Sequence, residues 1–516
     1  MCSTRTAAAA TASLWEIDVM NEADTAAAGN LMRDCDTLIR NVTLIDGSAG
    51  APIAADVALL DGRIAAIGAV GSLGAWRPAH SVDGAGKVLS PGFIDVHTHD
   101  DTNVIRTPAM LPKLSQGVTT VIVGNCGLSA APVTLRGAPP DPMNLLGAAQ
   151  AFAYPTFASY VAAVNAAQPA VNVAALVGHT ALRNNHLDRL DRGATAAELE
   201  QMCLQLREAL QHGALGLSTG LAYSSAFSAP TEEVLALAAP LAEFGALYAT
   251  HLRSEFADIL EAMDEAFRIG RHARVPVVIS HMKCAGVENW GRSAEVLAAL
   301  EGAQSGQAVG CDCYPYTASS STLDLKQVTD TIEIQITWCD PHPEMCGKML
   351  SAVAAEWGLG LLDAARRLQP AGAVYHNMQA DDVKRILSHP ATVVGSDGLP
   401  NDPLPHPRLW GAFPRVLGYY SREQKLFPLT VAVRKMTGLS AERFGLAGRG
   451  YVRVGYWADL VLFDPETVRD AATFADPMQA AEGIEMVWVN GVLSYRGGAH
   501  KAALPQRAGR FVGLRA

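Results

Sequence analysis

Residues 91–101 read PGFIDVHTHDD. Behind the Pro-Gly turn, Phe93-Ile94-Asp95-Val96 is a short β-prone run, and His97-Thr98-His99 stand at its C-terminal end. In an extended chain the side chains at i and i+2 point the same way, so both imidazoles can face one side. From this strand onward, short runs rich in Val, Ile, Leu and Ala alternate with longer Ala/Leu/Glu/Arg stretches of helical period. That is the pattern of repeated βα units and a parallel sheet. Strands are predicted at 92–97, 119–124, 171–178, 214–219, 246–250, 276–280, 308–313 and 391–396, with helical stretches such as 195–213 and 255–270 between them. Eight strands are what a closed (β/α)8 barrel requires, so the fold class is α/β, a TIM-like barrel. The spacing from Tyr314 to Thr392 is too long for one loop and helix and predicts an insertion over the barrel mouth at about 317–378.

On either side of this region the pattern changes. TLIRNVTLIDG, ADVALLDGRIAAIG and GKVLS before the barrel, and ADLVLFD and MVWVNGVLSYRG after it, alternate apolar and polar residues between Asp-Gly, Asn-Gly and Gly turns. One small β-sandwich domain built from both chain ends accounts for them. The expected organisation is a mobile Ala-rich tail at 1–33, a small β domain from 34–90 plus 447–516, and a catalytic barrel at 91–446.

Composition narrows the class of function. The 516 residues are 49% hydrophobic and 18% charged, as in globular proteins, and carry a formal net charge of −11 without a long basic run. That balance argues against nucleic acid or an anionic membrane surface as partner and for a small molecule. No apolar run is long enough to cross a bilayer, and the tail lacks the basic start and unbroken apolar core of a secretory signal. Nine dispersed cysteines suit a reducing compartment, so a cytoplasmic location is expected. Oligomeric state leaves no trace in the sequence.

Barrel active sites lie at the C-terminal ends of the strands. There stand His97 and His99 (strand one), Cys126 (two), His179 (three), His251 (five), His281 (six), Tyr314 (seven) and Asp397 (eight). One histidine beside an apolar strand is ordinarily a hydrogen-bonded structural residue. Ligand-type residues at the ends of so many different strands are not explained by packing, and a mixed imidazole and thiolate set favours zinc. His179 could contact substrate or cap its strand, whereas Cys284, Cys311 and Cys313 read as core residues. Arg253 is placed to pair with Glu255.

The segments PGFIDVHTHDD, VGNCG, ATHLRSE, ISHMKCAG, YPYTASS and GSDGLP, followed by HPRLWGAFPRVLG, VRKMTGLSAERFGLAGRG and WADLVLFD, resemble the N-acyl-D-amino-acid deacylases (D-aminoacylases) of the amidohydrolase superfamily. The resemblance runs from about residue 34 to the C-terminal sheet. It implies that Cys126 stands where many relatives use a carboxylated lysine to bridge two metals, and strand four carries no lysine. It further implies a tight zinc held by Cys126, His251 and His281, and a weaker second site formed by His97, His99 and Cys126 with help from Asp397. Lys283, Tyr314, Ser320 and Arg408 would hold substrate, and Met378 would line its side-chain pocket.

The reaction so implied is hydrolysis of the amide of an N-acyl-D-amino acid, with Asp397 as the catalytic proton carrier. An α-carboxylate needs a fixed cation, which gives Lys283 and Arg408 a chemical reason to be there. The rival readings are hydrolysis of a cyclic imide or hydantoin, deamination of a purine-like ring, and a non-catalytic scaffold. Scaffold relatives lose metal ligands, and here the whole set is present. Nothing in spacing or composition distinguishes D from L substrates or an apolar from an acidic side chain. Segment 337–347, TWCDPHPEMCG, reads either as a lid over the substrate or as a rigid decoration.

Overall fold

The computed structural model describes residues 32–498 and 502–514, so the expected tail lies outside the described residues except for its last two positions. The described residues open with β1 (Arg33–Leu44), β2 (Ile53–Leu60), β3 (Arg63–Gly68), β4 (Trp76–Asp83) and β5 (Val88–Pro91). The barrel follows, with β6 (Phe93–Asp95), β7 (Val118–Val123), β8 (Asn172–Ala175) continued by β9 (Val177–Gly178), β10 (Gly216–Gly220), β11 (Leu247–His251), β12 (Val277–Ile279) and β13 (Val309–Cys313). An insertion carries β14 (Ser319–Thr322), β15 (Ile334–Cys339) and β16 (Ala371–Tyr375) before the last barrel strand, β17 (Thr392–Val394). The chain ends in β18 (Leu460–Phe463), β19 (Ile484–Val489), β20 (Val492–Arg496) and β21 (Ala502–Ala503).

Parallel pairing runs from β6 through β7 to β8, and from β9 through β10, β11, β12 and β13 to β17. The ring closes where Thr98 bridges Gly398 in parallel, with Asp397 N–H donating to His97 O (2.7 Å) and His99 N–H to Gly398 O (3.0 Å). Strands covered on both faces read as continuous apolar runs, and every residue of β7, VTTVIV, is buried. Ile94, Ile122, Ala174, Leu215, Leu247, Val278 and Val393, one from each of seven strand regions, form a shared interior cluster. On β13 the interior position is Gly310, where a Cβ would collide with the Arg443 guanidinium, so this strand gives up its side chain to admit that arginine. The barrel centre is thus a packed core, and chemistry is confined to its mouth.

The two chain ends share one nine-stranded sheet, in which β5 lies between β1 and β18. The sheet forks along β1: residues 33–40 pair with β4 and residues 43–44 with β5, either side of an irregularity near Asn41. The fork folds the sheet over, so that Val57, Leu59 and Ile64 of β2 and β3 pack in one cluster with Leu460, Leu462 and Trp488 of β18 and β19. Those strands are not sheet neighbours, and the contact makes a sandwich. The insertion is a small antiparallel sheet, ordered β14-β16-β15, backed by helices Leu350–Trp357 and Leu361–Leu368 with a cluster of its own. Within 337–347, Met345 is buried in that cluster and Cys346 Sγ–H donates to Thr337 O (2.8 Å), so the segment is anchored in the insertion's core.

Two buried polar knots hold these parts in register. At the foot of the barrel, Asp459 accepts from Asn490 N–H (2.7 Å) and Asn172 Nδ2 (3.2 Å) and pairs with Arg449, while Asn490 Nδ2 donates to Asn172 Oδ1 (2.8 Å). Because Asn172 opens β8 and Asn490 follows β19, one carboxylate ties barrel to sandwich. Nearer the mouth, His179 does not join the strand-end histidines: its Nε2 lies 2.9 Å from Glu233 Oε1, which also pairs with Arg183. Burial alone would raise the Glu233 pKa, but His179 and Arg183 hold it at about 2, and burial keeps His179 below its ordinary value.

Removing one partner of a buried pair strands the others, so Asp459→Ala should lower unfolding stability by about 3–5 kcal/mol, read from the denaturant midpoint of the first transition. For Glu233 the folded pKa lies below the value of about 4.5 expected when unfolded, so its stabilisation is complete above that pH and is lost as pH falls towards 2. On the order of 3 kcal/mol rides on this group, and Glu233→Gln should flatten the stability profile of the wild type between pH 4.5 and 2.

Candidate metal centre

The strand-end residues meet in one buried chamber. His97, His99, Cys126 and Asp397 each bring a ligand atom within 4.8 Å of the others, and Cys126, His251 and His281 do the same. Cys126 belongs to both groups. Its Sγ lies 3.2 Å from His97 Nε2 and 3.3 Å from His281 Nε2, while Asp397 Oδ1 lies 3.4 Å from His97 Nε2 and 3.2 Å from His99 Nε2.

Backbone geometry turns these side chains inward. Cys126, His281 and Asp397 adopt positive φ (55°, 35° and 50°), a left-handed conformation that costs a non-glycine residue of order 1–3 kcal/mol. Each follows a barrel strand by two or three residues, so the reversal swings its side chain over the mouth. Around Cys126 the turn is pressed hard against strands three and four. A Cβ on Gly124 would lie 2.1 Å from Leu176 O, and one on Gly220 would lie 2.2 Å from Cys126 O. Ser218 Oγ braces the same turn, donating to Gly124 O (2.5 Å) and accepting from Gly127 N–H (3.0 Å). The cysteine turn is therefore packed directly onto the ends of strands three and four.

Electrostatics show what the centre asks for. Burial pushes the Cys126 thiol up, but the imidazoles of His97 and His281 outweigh it and hold the thiol well below its ordinary range. Burial likewise opposes ionisation of Asp397, and the Arg408 guanidinium with His97 reverses the balance, leaving a carboxylate. Burial should deprotonate the imidazoles, yet Cys126 and Asp397 and their neighbours raise His97 well above its usual value and lift His99 and His281 to about 9. The thiolate and the carboxylate thus favour positive charge at this point. His251 turns its Nε2 towards Glu255, and its Nδ1 is buried without a hydrogen-bond partner, as a nitrogen placed for ligation would be. Tetrahedral zinc, with Zn–S near ~2.3 Å and Zn–N near ~2.0 Å, sets S···N edges of roughly 3.5 Å, close to the Cys126 separations. The donor set fits that metal.

The expected substrate residues line the same chamber. Arg408 Nη1 lies 2.9 Å from Asp397 Oδ2, its Nη2 donates to Ser320 O (3.1 Å), and its guanidinium stacks 4.6 Å from the Tyr314 ring centre. Tyr314 Oη–H reaches Met378 Sδ (3.7 Å), and Ser320 Oγ is buried without a partner. Lys283 is buried too, with Nζ 2.5 Å from Glu255 Oε1 and 5.7 Å from the Tyr314 ring centre. This corrects the expectation for Arg253. It pairs with Glu265 (2.8 and 2.9 Å) because the helix that faces it starts only at Ile259, which leaves Glu255 in the preceding loop, turned into the chamber.

Sequence reasoning passed over several supports. Asp312 Oδ2 lies 3.2 Å from His97 Nδ1 and its Oδ1 accepts His281 N–H (2.9 Å); a single carboxylate between Cys311 and Cys313 in a buried strand was the available signal. Lys113, fully buried, binds Asp95 (2.8 Å), Thr98 Oγ1 (2.9 Å) and Ser396 Oγ (2.9 Å), locking the HTH strand to the loop that carries Asp397. Tyr223 lies with its ring centre 4.8 Å from that of His251. Cys284, Cys311 and Cys313 are buried in the main apolar cluster, outside the centre.

Known proteins resemble this chain in sequence and fold. The chain is 48% identical over 478 residues to the D-aminoacylase of Alcaligenes xylosoxydans xylosoxydans, covering 92% of this chain and 97% of that protein. It is 49% identical over 458 residues to the N-acyl-D-aspartate deacylase of the same organism, covering 88% and 91%. The crystal structure of N-acyl-D-glutamate deacylase from Bordetella bronchiseptica, complexed with zinc and a phosphonate mimic of the tetrahedral intermediate, superposes with a TM-score of 0.88 at 45% identity, covering 94% of this chain and 100% of that one. A family model described as the amidohydrolase family matches residues 81–495. With the barrel, the strand-end cluster and these likenesses in agreement, the chain belongs to the amidohydrolase family.

Proposed function

We propose that this protein is a zinc-dependent hydrolase that splits N-acyl-D-amino acids into a carboxylate and a free D-amino acid. The observation that carries the reading is the convergence of His97, His99, Cys126, His251, His281 and Asp397 on one buried point, with Cys126 common to both ligand groups. The likeness to a D-aminoacylase and to deacylases of N-acyl-D-aspartate and N-acyl-D-glutamate, the last a zinc complex, supports the substrate class. The smaller set Cys126, His251 and His281 is the tight zinc site in this reading, and His97, His99, Cys126 and Asp397 form the second.

Bound there, zinc supplies Lewis acidity, polarising the scissile carbonyl and making water a better acid. The protein's own residues do the rest. Asp397 is held ionised by Arg408, so it arrives at the reaction as a base: Oδ1 takes a proton from the attacking water and delivers it to the leaving nitrogen. Tyr314, whose phenol burial keeps protonated, donates its Oη–H to the substrate carbonyl. Lys283 and Arg408 receive the α-carboxylate, and Met378 gives the side-chain pocket an apolar wall. Arg408 thus touches both the base and the substrate. Among the described residues no helix is long and apolar enough to cross a membrane. The eight described cysteines are free, which supports a reducing, cytoplasmic setting.

Amine release from paired N-acetyl-D and N-acetyl-L forms of methionine, leucine, glutamate and aspartate tests the proposal. Release confined to the D forms is expected, and the order among them reports the side-chain pocket. Zinc-loaded protein that releases amine from none of the eight would remove the substrate class. Asp397→Asn should retain zinc at the tight site while kcat falls by ~10²–10⁴, checked by metal analysis and steady-state rates on the same preparation.

A further inference from the structure

Glu255 lies in the loop between β11 and the helix Ile259–Ala273, and only 11% of its side chain is exposed. One of its oxygens meets two residues of different kinds. Oε1 is 2.8 Å from His281 Nδ1 and 2.5 Å from Lys283 Nζ, while Oε2 lies 3.8 Å from His251 Nε2. The loop is tied to the neighbouring strand end, where Ala285 N–H donates to Glu255 O (2.8 Å). We propose that Glu255 is the positioning residue that couples the metal centre to the substrate anchor, holding the His281 ring for metal ligation and the Lys283 ammonium for the substrate carboxylate. The second half rests on the function proposed above.

Donors and acceptors around the His281 ring leave one arrangement. His281 Nε2 faces Cys126 Sγ and the ligand group, which leaves Nδ1 as the outward nitrogen. A neutral ring that gives its Nε2 lone pair to a cation carries its proton on Nδ1, and that N–H requires an acceptor. Lys283 Nζ is only 2.8 Å from Nδ1 but is a donor at every hydrogen, so it cannot serve. Glu255 Oε1 is the acceptor within reach. Ligation therefore sets the N–H of His281 against the ammonium of Lys283, with Glu255 between them. The conflict is relieved if Lys283 turns to a second anion, and it already stands 3% exposed beside the Tyr314 and Arg408 wall where an α-carboxylate would sit. His281 and Lys283 are two residues apart on one loop, and a carboxylate from the adjacent strand end assigns them separate tasks.

The test uses zinc-loaded full-length wild type, Glu255→Gln, Glu255→Asp and Lys283→Met. Zinc affinity is measured by competition with a chelator, kcat and KM on N-acetyl-D-methionine, and melting with and without zinc. Glu255→Gln should bind zinc 10–100-fold more weakly and raise KM, and Glu255→Asp should recover part of both. Lys283→Met should keep zinc at least as tightly as wild type, since it removes a positive charge beside a ligand, while KM rises. Zinc affinity in Glu255→Gln within twofold of wild type, with any loss confined to metal-free melting, would overturn the proposal, as would loss of zinc in Lys283→Met equal to that in Glu255→Gln. A wild type inactive on every N-acyl-D-amino acid would remove the substrate reading alone, because the zinc affinities still decide the part played by Glu255 at His281.

Discussion

The return of the eighth strand to the first is the constraint on which the molecule depends. Closure runs through two main-chain bonds, Asp397 N–H to His97 O and His99 N–H to Gly398 O, and three of those four residues, His97, His99 and Asp397, are also members of the ligand cluster. The hydrogen bonds that seal the cylinder thus set the distance between the HTH pair and the carboxylate opposite. Lys113 makes the seam rigid from beneath through Asp95, Thr98 and Ser396. A displacement of the seam would misplace three site residues together, which explains why so much buried polar contact is concentrated there.

Charge is distributed around the chamber so that no group stands alone. Arg408 offsets Asp397, Lys283 offsets Glu255, and Asp312 steadies His97 and the main chain of His281. Burying this many ionisable groups is unfavourable, and three left-handed backbone positions add strain. The packed barrel interior and the sandwich behind it supply the stability that lets the mouth be so costly. The separation is spatial: apolar layers in the middle, the Asp459 knot at the foot, and the reactive groups at the rim.

Much of this was readable in the chain, for reasons that can be stated. A barrel strand delivers its last residue to the mouth wherever its helix lies, so HTH, Cys126, His251, His281 and Asp397 could be placed from strand ends alone. The sandwich was legible because Asp-Gly and Asn-Gly turns punctuate both ends of the chain. What escaped depends on contacts between strands. Lys113 looks like a surface charge until Asp95 and Ser396 are seen around it, and Glu255 was given to Arg253 because the helix was taken to begin four residues too early. The fork along β1 is equally silent, since a twelve-residue strand gives no sign of changing partners midway.

The sandwich interleaves the two ends of the chain, with β5 clasped between β1 and β18. During synthesis the first five strands therefore leave the ribosome long before their partner. Some 370 residues separate Pro91 from Leu460, which at about 5–20 residues per second is a wait of roughly 20–75 s. Throughout that interval the β5 edge lies open to other strands, and the barrel folds next to an unfinished sheet. An unpaired strand edge is a template for wrong pairing, so the sandwich is the part of the fold whose completion waits on the end of synthesis.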